Sequence, residues 1–229
     1  MRIIGHRGAR GLAPENTLHG LETAIHLGTP WVEFDVQLHP SGQLVLLHDL
    51  TLDRTTNGSG LLSDMGWPAV RQLDAGGGQE LPTLNEALDL IDQRAGVNIE
   101  LKTWDGTAAA VAVVVRERLD AGWSPSQFMV SSFHQPELFE FRQLLPEVPV
   151  GVLLCGVPLD WAACANELQA SSLNLSSEFV DARLVADAKA RGLEVYVYTV
   201  NEVAELHRLA SMGIDGVFTD FPDRMLAAL

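Results

Sequence analysis

Glu33 and Asp35 stand two apart in Trp31-Val32-Glu33-Phe34-Asp35-Val36-Gln37-Leu38, where every second residue is aliphatic or aromatic. That alternation belongs to a strand, and side chains two apart on a strand share a face. Two carboxylates side by side on an otherwise apolar strand repel each other and resist burial. Something positive must lie between them: a metal ion, a guanidinium or a shared proton. Glu100 and Lys102 repeat the spacing on a later apolar run, His6-Arg7 follows the run Arg2 to Gly5, and His48-Asp49 ends the run Gln43 to Leu47. Three carboxylates supply hard oxygen ligands, which suit Mg²⁺ or Ca²⁺ rather than zinc. Two histidines suit acid and base work near neutral pH. Arg7 and Lys102 suit an anionic substrate, since a guanidinium can hold two phosphate oxygens at once. Together these residues are the equipment for metal-assisted phosphoryl transfer, with cations stabilising phosphate oxygens and histidines moving protons.

Taken singly, each residue has a plainer explanation. A strand-borne Glu/Asp pair is more often an exposed sheet face, although that reading weakens where both faces of a strand are covered. Lys102 alone would form a salt bridge to Glu100, and a lone His-Arg-Gly has little specificity. Their convergence at strand ends is much harder to dismiss. The other histidines read differently: His19, His26 and His207 fall within helical stretches and suit solvated or partly packed roles. His39 lies in a turn, and His134 lies in a loop after a strand, where contact with substrate is a minority expectation.

The elements that must position these groups alternate. Strand-like runs are predicted at Arg2 to Gly5, Trp31 to Leu38, Val97 to Leu101, Phe128 to Ser131, Val150 to Leu154, Ser172 to Leu175, Glu194 to Val200 and Gly216 to Thr219. Helical runs separate them: Leu18 to Leu27, Leu84 to Ile91, Gly106 to Leu119, Pro136 to Leu145, Leu159 to Leu168, Ala182 to Arg191, Val203 to Met212 and Pro222 to Leu229. Thr83 and Glu86 form a capping box before the second helix. Pro40-Ser41-Gly42 signals a turn, so Gln43 to Leu47 would make a hairpin with the acidic strand. Residues 50–80 hold Thr55-Thr56-Asn57-Gly58-Ser59-Gly60 and Gly76-Gly77-Gly78 without a long periodic element, and read as an excursion over the site. About eight strands in β-then-α order predict an α/β fold, a closed (β/α)8 barrel, with an open doubly wound sheet as the alternative. In such a barrel functional residues gather at the C-terminal strand ends. No Gly-x-Gly-x-x-Gly opens the first helix, which counts against a dinucleotide fold.

The 229 residues suit one barrel domain, residues 1–229, with the insertion at about 50–80. A net charge of −15 argues against nucleic acid and against an anionic membrane surface as partners, so no stable membrane association is expected. Cys155 and Cys164 lack a CxxC spacing and read as thiols in a reducing compartment. Gly5 and His6 arrive too early for a signal peptide, and no run approaches the ~20 apolar residues of a membrane span. The expected location is cytoplasmic.

The motifs resemble those of the glycerophosphodiester phosphodiesterase family, in particular its short bacterial members. They run nearly end to end: His6-Arg7-Gly8, Pro14-Glu15-Asn16-Thr17, Glu33-x-Asp35-Val36, His48-Asp49 and Leu52-x-Arg54-Thr55-Thr56, then Leu81-Pro82-Thr83-Leu84, Ile99-Glu100-Leu101-Lys102, Ser131-Ser132-Phe133, Thr199-Val200-Asn201 and Gly216-Val217-Phe218-Thr219-Asp220-Phe221-Pro222. The resemblance implies a TIM barrel with a small insertion after the second strand. It implies hydrolysis of glycerophosphodiesters to sn-glycerol 3-phosphate and an alcohol. By motif position, His6 and His48 would be the acid/base pair. Glu33, Asp35 and Glu100 would ligate one divalent cation, Mg²⁺ or Ca²⁺ with Mn²⁺ also suitable. Arg7 and Lys102 would hold the phosphate, with Phe133 and Tyr198 beside the substrate. Tyr198 stands where a Trp is common, and His39 and Ser41 replace a frequent Thr and Asp in the hairpin turn.

Three other readings fit parts of this set. A phospholipase D- or C-like phosphodiesterase on the same barrel is the nearest, but a phosphoinositide phospholipase C needs membrane access that the charge disfavours. A retaining glycosidase could use two of the carboxylates, and would leave both histidines and both cations without a task. A non-catalytic binding protein should have lost a motif residue, and none is missing. The expected substrate is a small molecule, and the expected assembly a monomer or homodimer.

Overall fold

The structure is a computed structural model and describes residues 1–104 and 106–229. The elements in chain order are β1 (Arg2–Gly5), α1 (Leu18–His26), β2 (Trp31–Leu38), β3 (Leu44–Leu46), α2 (Trp67–Val70), α3 (Leu84–Ile91), β4 (Gly96–Leu101), α4 (Thr107–Asp120) and β5 (Phe128–Ser132). They continue with α5 (Gln135–Leu144), β6 (Val150–Leu154), α6 (Cys164–Glu167), β7 (Ser172–Ser176), α7 (Ala182–Ala190), β8 (Glu194–Tyr198), α8 (Val203–Ser211), β9 (Gly216–Thr219) and α9 (Pro222–Leu226). Eight strands pair in parallel in the order β1-β9-β8-β7-β6-β5-β4-β2, and β2 pairs with β1 to close the ring. This is the expected (β/α)8 barrel.

Alternation sorts β2 into two faces. Val32, Phe34 and Val36 point outward into a continuous core shared with Leu21 and Ala24 of α1 and Leu84, Leu88 and Ile91 of α3. The other face turns into the barrel. Its first residue, Trp31, packs with Ile4, Met129, Tyr196 and Phe218 as an apolar plug. Above that plug come Glu33, Asp35 and Gln37, all buried.

The outer edge of β2 is shared out along its length. Trp31 and Val32 pair with β1, Glu33 O accepts from Gly8 N–H, Asp35 O accepts from Leu47 N–H, and Val36 to Leu38 pair antiparallel with β3. The short first strand therefore leaves room for the His6-Arg7-Gly8 turn and for the hairpin to reach the mouth. Gly8 is required there: its φ is +83° and a Cβ would meet the Gly20 backbone at 2.5 Å.

The segment between β3 and α3 packs with Val45 of β3 into a small core of its own, with Leu47, Leu52, Leu62, Val70, Ala75 and Leu81. Burial of such side chains stabilises by roughly 1.5–3 kcal/mol each, which holds an otherwise irregular segment in place. His39 pins the hairpin to it: its ring nitrogens lie 2.7 Å from Ser41 Oγ and 2.8 Å from Met65 O, and the ring faces Trp67. Arg71 ties the other end to Glu86 of α3 at 2.9 Å. Glu86 also completes the expected capping box with Thr83.

The helix expected over Leu159 to Leu168 forms only at Cys164–Glu167. Trp161 adopts a left-handed φ of +57°, so the preceding residues make turns instead. The strand expected to reach Val200 ends at Tyr198, and the last helix ends at Leu226. Among the described residues no helix is long and apolar enough to cross a membrane.

Candidate active site

Glu33 and Asp35 project from β2, and Glu100 from β4 beside them, where Asp35 and Glu100 are register partners. One oxygen from each of the three carboxylates can be chosen so that all lie within 4.8 Å of one another. Glu33 and Asp35 are 2% and 1% exposed, too deep for water to disperse their charge. Burial, with Asp35 and Glu100 nearby, pushes the Glu33 carboxyl well above its ordinary range. Burial and Asp35 likewise push Glu100 up to about 7, against the pull of Lys102.

Protein groups satisfy part of this charge. Arg7 N–H donates to Glu33 Oε2 at 2.8 Å, an approach made possible by its left-handed φ of +52°. Asn16 Nδ2 donates to Asp35 Oδ2 at 2.8 Å, and Asn16 Oδ1 accepts from Asp35 N–H. Arg7 Nε lies 3.3 Å from Asp35 Oδ2, a charge contact without hydrogen-bond geometry. Lys102 Nζ donates to Glu100 Oε1 at 2.7 Å and lies 3.6 Å from Asp35 Oδ1. Glu33 Oε1 is buried with no hydrogen-bond partner.

These donors fit a hard divalent cation. Such an ion binds oxygens at about 2.0–2.6 Å and so spans donors up to about twice that apart. It would also give the unpartnered Glu33 oxygen a ligand role and oppose the repulsion that raises the Glu33 and Glu100 pKa values.

The two histidines flank the same cavity. His6 Nδ1 lies 2.7 Å from Asp220 Oδ1 in the loop after β9. Asp220 is held in turn by Asn201, whose Nδ2 donates to Oδ2 at 2.9 Å while its Oδ1 accepts from the Asp220 N–H. His48 Nδ1 lies 2.6 Å from Asp49 Oδ1. Gln37 Nε2, on the inward face of β2, donates to the carbonyls of Leu47 and Asp49 and so fixes the backbone around His48. Burial lowers the pKa of both histidines, against the raising influence of Asp220 on His6 and of Asp35 and Asp49 on His48. In each ring a carboxylate at Nδ1 leaves Nε2 as the nitrogen open for proton exchange.

The cavity, of about 170 Å³, is lined by His6, Arg7, Arg10, Glu33, His48, Asn98, Glu100, Lys102, Phe133, Leu153, Tyr198, Thr199 and Phe218. That is more than ten times the space a single water needs, enough for a small polar substrate. Phe133 and Tyr198 form an edge-to-face pair on one wall, with centroids 5.9 Å apart. The Tyr198 hydroxyl donates to Leu154 O at 2.8 Å, so the ring supplies an apolar wall.

Eight of the nine residues expected from the sequence line this cavity, and Asp35 sits beside them against Glu100, Arg7 and Lys102. His134 instead caps α5 by accepting from Glu137 N–H and stacks on Trp104. Sequence reasoning assigned no role to Glu15, Asn16, Arg54, Asn201 or Asp220, although each lies in a motif at a strand's C-terminal side. Glu15 binds three arginines: Arg7 Nη1 at 2.7 Å, Arg54 Nη2 at 2.7 Å and Arg10 Nε at 3.0 Å. Burial alone would raise its pKa, but Arg54 and Arg7 outweigh that and hold it down to about 2.

Residues 6–224 match the Glycerophosphoryl diester phosphodiesterase family. A glycerophosphodiester phosphodiesterase of Bacillus altitudinis is 33% identical over 234 residues, spanning 97% of this chain and 96% of the relative. One of Caldanaerobacter subterraneus is 32% identical over 98% of this chain and 96% of its own. Among solved structures, an Oleispira antarctica phosphodiesterase in complex with the product sn-glycerol-3-phosphate superposes with a TM-score of 0.92 at 34% identity, covering 100% of this chain and 96% of that one. A glycerophosphodiester phosphodiesterase from Agrobacterium tumefaciens gives 0.84 at 30% identity, over 99% of both chains. With its barrel, its clustered carboxylates and a match over almost its whole length, the chain belongs to the glycerophosphoryl diester phosphodiesterase family.

Proposed function

We propose that the chain hydrolyses glycerophosphodiesters to sn-glycerol 3-phosphate and an alcohol, acting as one catalytic domain over residues 1–229. The observation that carries the reading is the meeting of three carboxylates and two carboxylate-held histidines in one cavity. The product complex of the Oleispira relative supports the choice of substrate class. Glu33, Asp35 and Glu100 would hold one divalent cation, Mg²⁺, Ca²⁺ or Mn²⁺. Bound there, the ion supplies positive charge that stabilises phosphate oxygens as negative charge builds on them.

The protein's own groups do the rest. Arg7 and Lys102 line the cavity and orient the phosphodiester; an ammonium has three donors, and Glu100 takes one of those on Lys102. The Phe133 and Tyr198 rings cover the apolar side of the substrate and exclude water there. One histidine removes a proton from the nucleophile, either water or the neighbouring glycerol hydroxyl; attack by the hydroxyl would give a cyclic glycerol phosphate, which water then opens to glycerol 3-phosphate. The other donates a proton to the departing alcohol oxygen, and Nε2 is the exchanging atom in both. Asp220 and Asp49 hold the two Nδ1 atoms and so fix tautomer and ring direction.

The test is product analysis with glycerophosphocholine and glycerophosphoethanolamine. Glycerol 3-phosphate plus free choline or ethanolamine supports the proposed cut. Glycerol plus a phosphorylated alcohol would mean the phospholipase C-like cut instead, and no product from either substrate would overturn the reading.

A further inference from the structure

Arg54 lies in the segment between β3 and α3 and does not line the cavity. Its guanidinium is nevertheless engaged next to it through four of its five N–H donors. Nη1 and Nη2 donate to Glu15 Oε2 and Oε1 at 2.9 and 2.7 Å. Nε and Nη2 donate to Asp49 Oδ2 and Oδ1 at 2.7 and 3.1 Å. One planar cation thus joins two carboxylates, each through two bonds. Glu15 is the fixed end: its side chain is 8% exposed and also holds Arg7 and Arg10. Asp49 is the other end, and its Oδ1 faces His48 Nδ1.

Exposed ion pairs usually contribute little to stability, and the Arg54 side chain is 42% exposed. Its geometric effect is another matter. His48 and Asp49 are consecutive residues, whose side chains do not ordinarily face one another. Gln37 fixes their backbone but reaches neither side chain. Among the described residues, Arg54 and His48 are the only side chains hydrogen-bonded to the Asp49 carboxylate.

We propose that Arg54 is a positioning residue, which turns the Asp49 carboxylate onto His48 Nδ1 and anchors it to the barrel through Glu15. The inference rests on the function proposed above for His48. It makes the hairpin insertion part of the acid/base machinery and links the cradle of His48 to that of Arg7, because both end on Glu15. Lysine is a poor substitute: a single ammonium reaches one carboxylate well, whereas the guanidinium fork serves two.

The test uses Arg54→Met and Arg54→Lys in the full chain, with two independent readouts. The first is steady-state kinetics with glycerophosphocholine. Arg54→Met is expected to lose about 3- to 10-fold in kcat with KM within about 2-fold, with Arg54→Lys in between and partial rescue of Arg54→Met by added guanidinium. The second is the ¹⁵N NMR signature of the His48 ring, which needs no turnover. In wild type Nδ1 carries the proton, and in Arg54→Met a mixed tautomer population is expected while the His6 signals stay unchanged. Wild-type tautomers in a folded Arg54→Met protein would overturn the proposal whatever its activity. So would a raised KM at unchanged kcat, which would make Arg54 a substrate contact. If wild type turns over no glycerophosphodiester, the function fails, and the NMR arm still decides whether Arg54 positions the ring.

Discussion

His6 and His48 each present Nδ1 to a carboxylate, at 2.7 and 2.6 Å, but the two cradles are built differently. Asp220 reaches His6 from 214 residues away, because β1 and β9 are neighbours in the closed ring. It is held by the neutral amide of Asn201 and is largely buried. Asp49 is the next residue after His48, about a quarter exposed, and is held by a guanidinium from the insertion. The first cradle depends on barrel closure, the second on docking of the hairpin and its loop. One geometry is thus reached once through the scaffold and once through an addition to it, and damage to either support should touch one histidine and spare the other.

The largest effect should come from removing the rings. His6→Ala and His48→Ala should each lower kcat by roughly 10²–10⁴-fold, measured on glycerophosphocholine with metal present. If each keeps near-normal turnover, the acid/base assignment is wrong.

Asymmetry between the supports should show in the carboxylates. Asp220→Asn leaves a largely buried ring facing an amide that can favour the wrong tautomer, and should cost about 10²-fold in kcat. Asp49→Asn sits nearer to water and retains the Arg54 anchor on one side, so a loss nearer to 10-fold is expected. Equal losses would remove the distinction between the cradles.

Acid stability probes the shared anchor. Glu15 is held down to about 2, below its ordinary 4.5. The unfolded chain therefore takes up its proton first as pH falls. The associated stability is complete above about pH 4.5 and is lost progressively toward pH 2. At about 1.4 kcal/mol per pKa unit, this amounts to roughly 3 kcal/mol at most, shared with Arg7 and Arg54. Urea melts between pH 6 and pH 3 should become shallower in pH dependence for Glu15→Gln, and an unchanged slope would refute the anchor.

Much of the site was legible from the chain because strand periodicity is local. The spacing of Glu33 and Asp35, and of Glu100 and Lys102, puts each pair on one face of a strand, and β/α alternation puts those faces inside a barrel. The capping box at Thr83 was equally local. Asp220 and Asn201 were not assigned because their role comes from ring closure, which joins residues far apart in sequence. Glu15 and Arg54 lie on irregular loops, where no period fixes direction. The expected helix at Leu159 to Leu168 failed on one backbone angle, at Trp161, that side-chain pattern does not reveal. Lys102 makes the salt bridge to Glu100 that its spacing suggests, and the Arg7 guanidinium lies against Asp35, so each cation serves a carboxylate as well as lining the cavity.

Both cradles face the Glu33, Asp35 and Glu100 cluster, so the most direct measurement is of metal dependence. Metal-depleted protein should release no glycerol 3-phosphate from glycerophosphocholine. Adding back Mg²⁺, Ca²⁺ or Mn²⁺ should restore release, and in Glu33→Gln it should not, with the fold retained by circular dichroism. Full activity in the depleted protein, or wild-type metal activation of Glu33→Gln, would contradict the account.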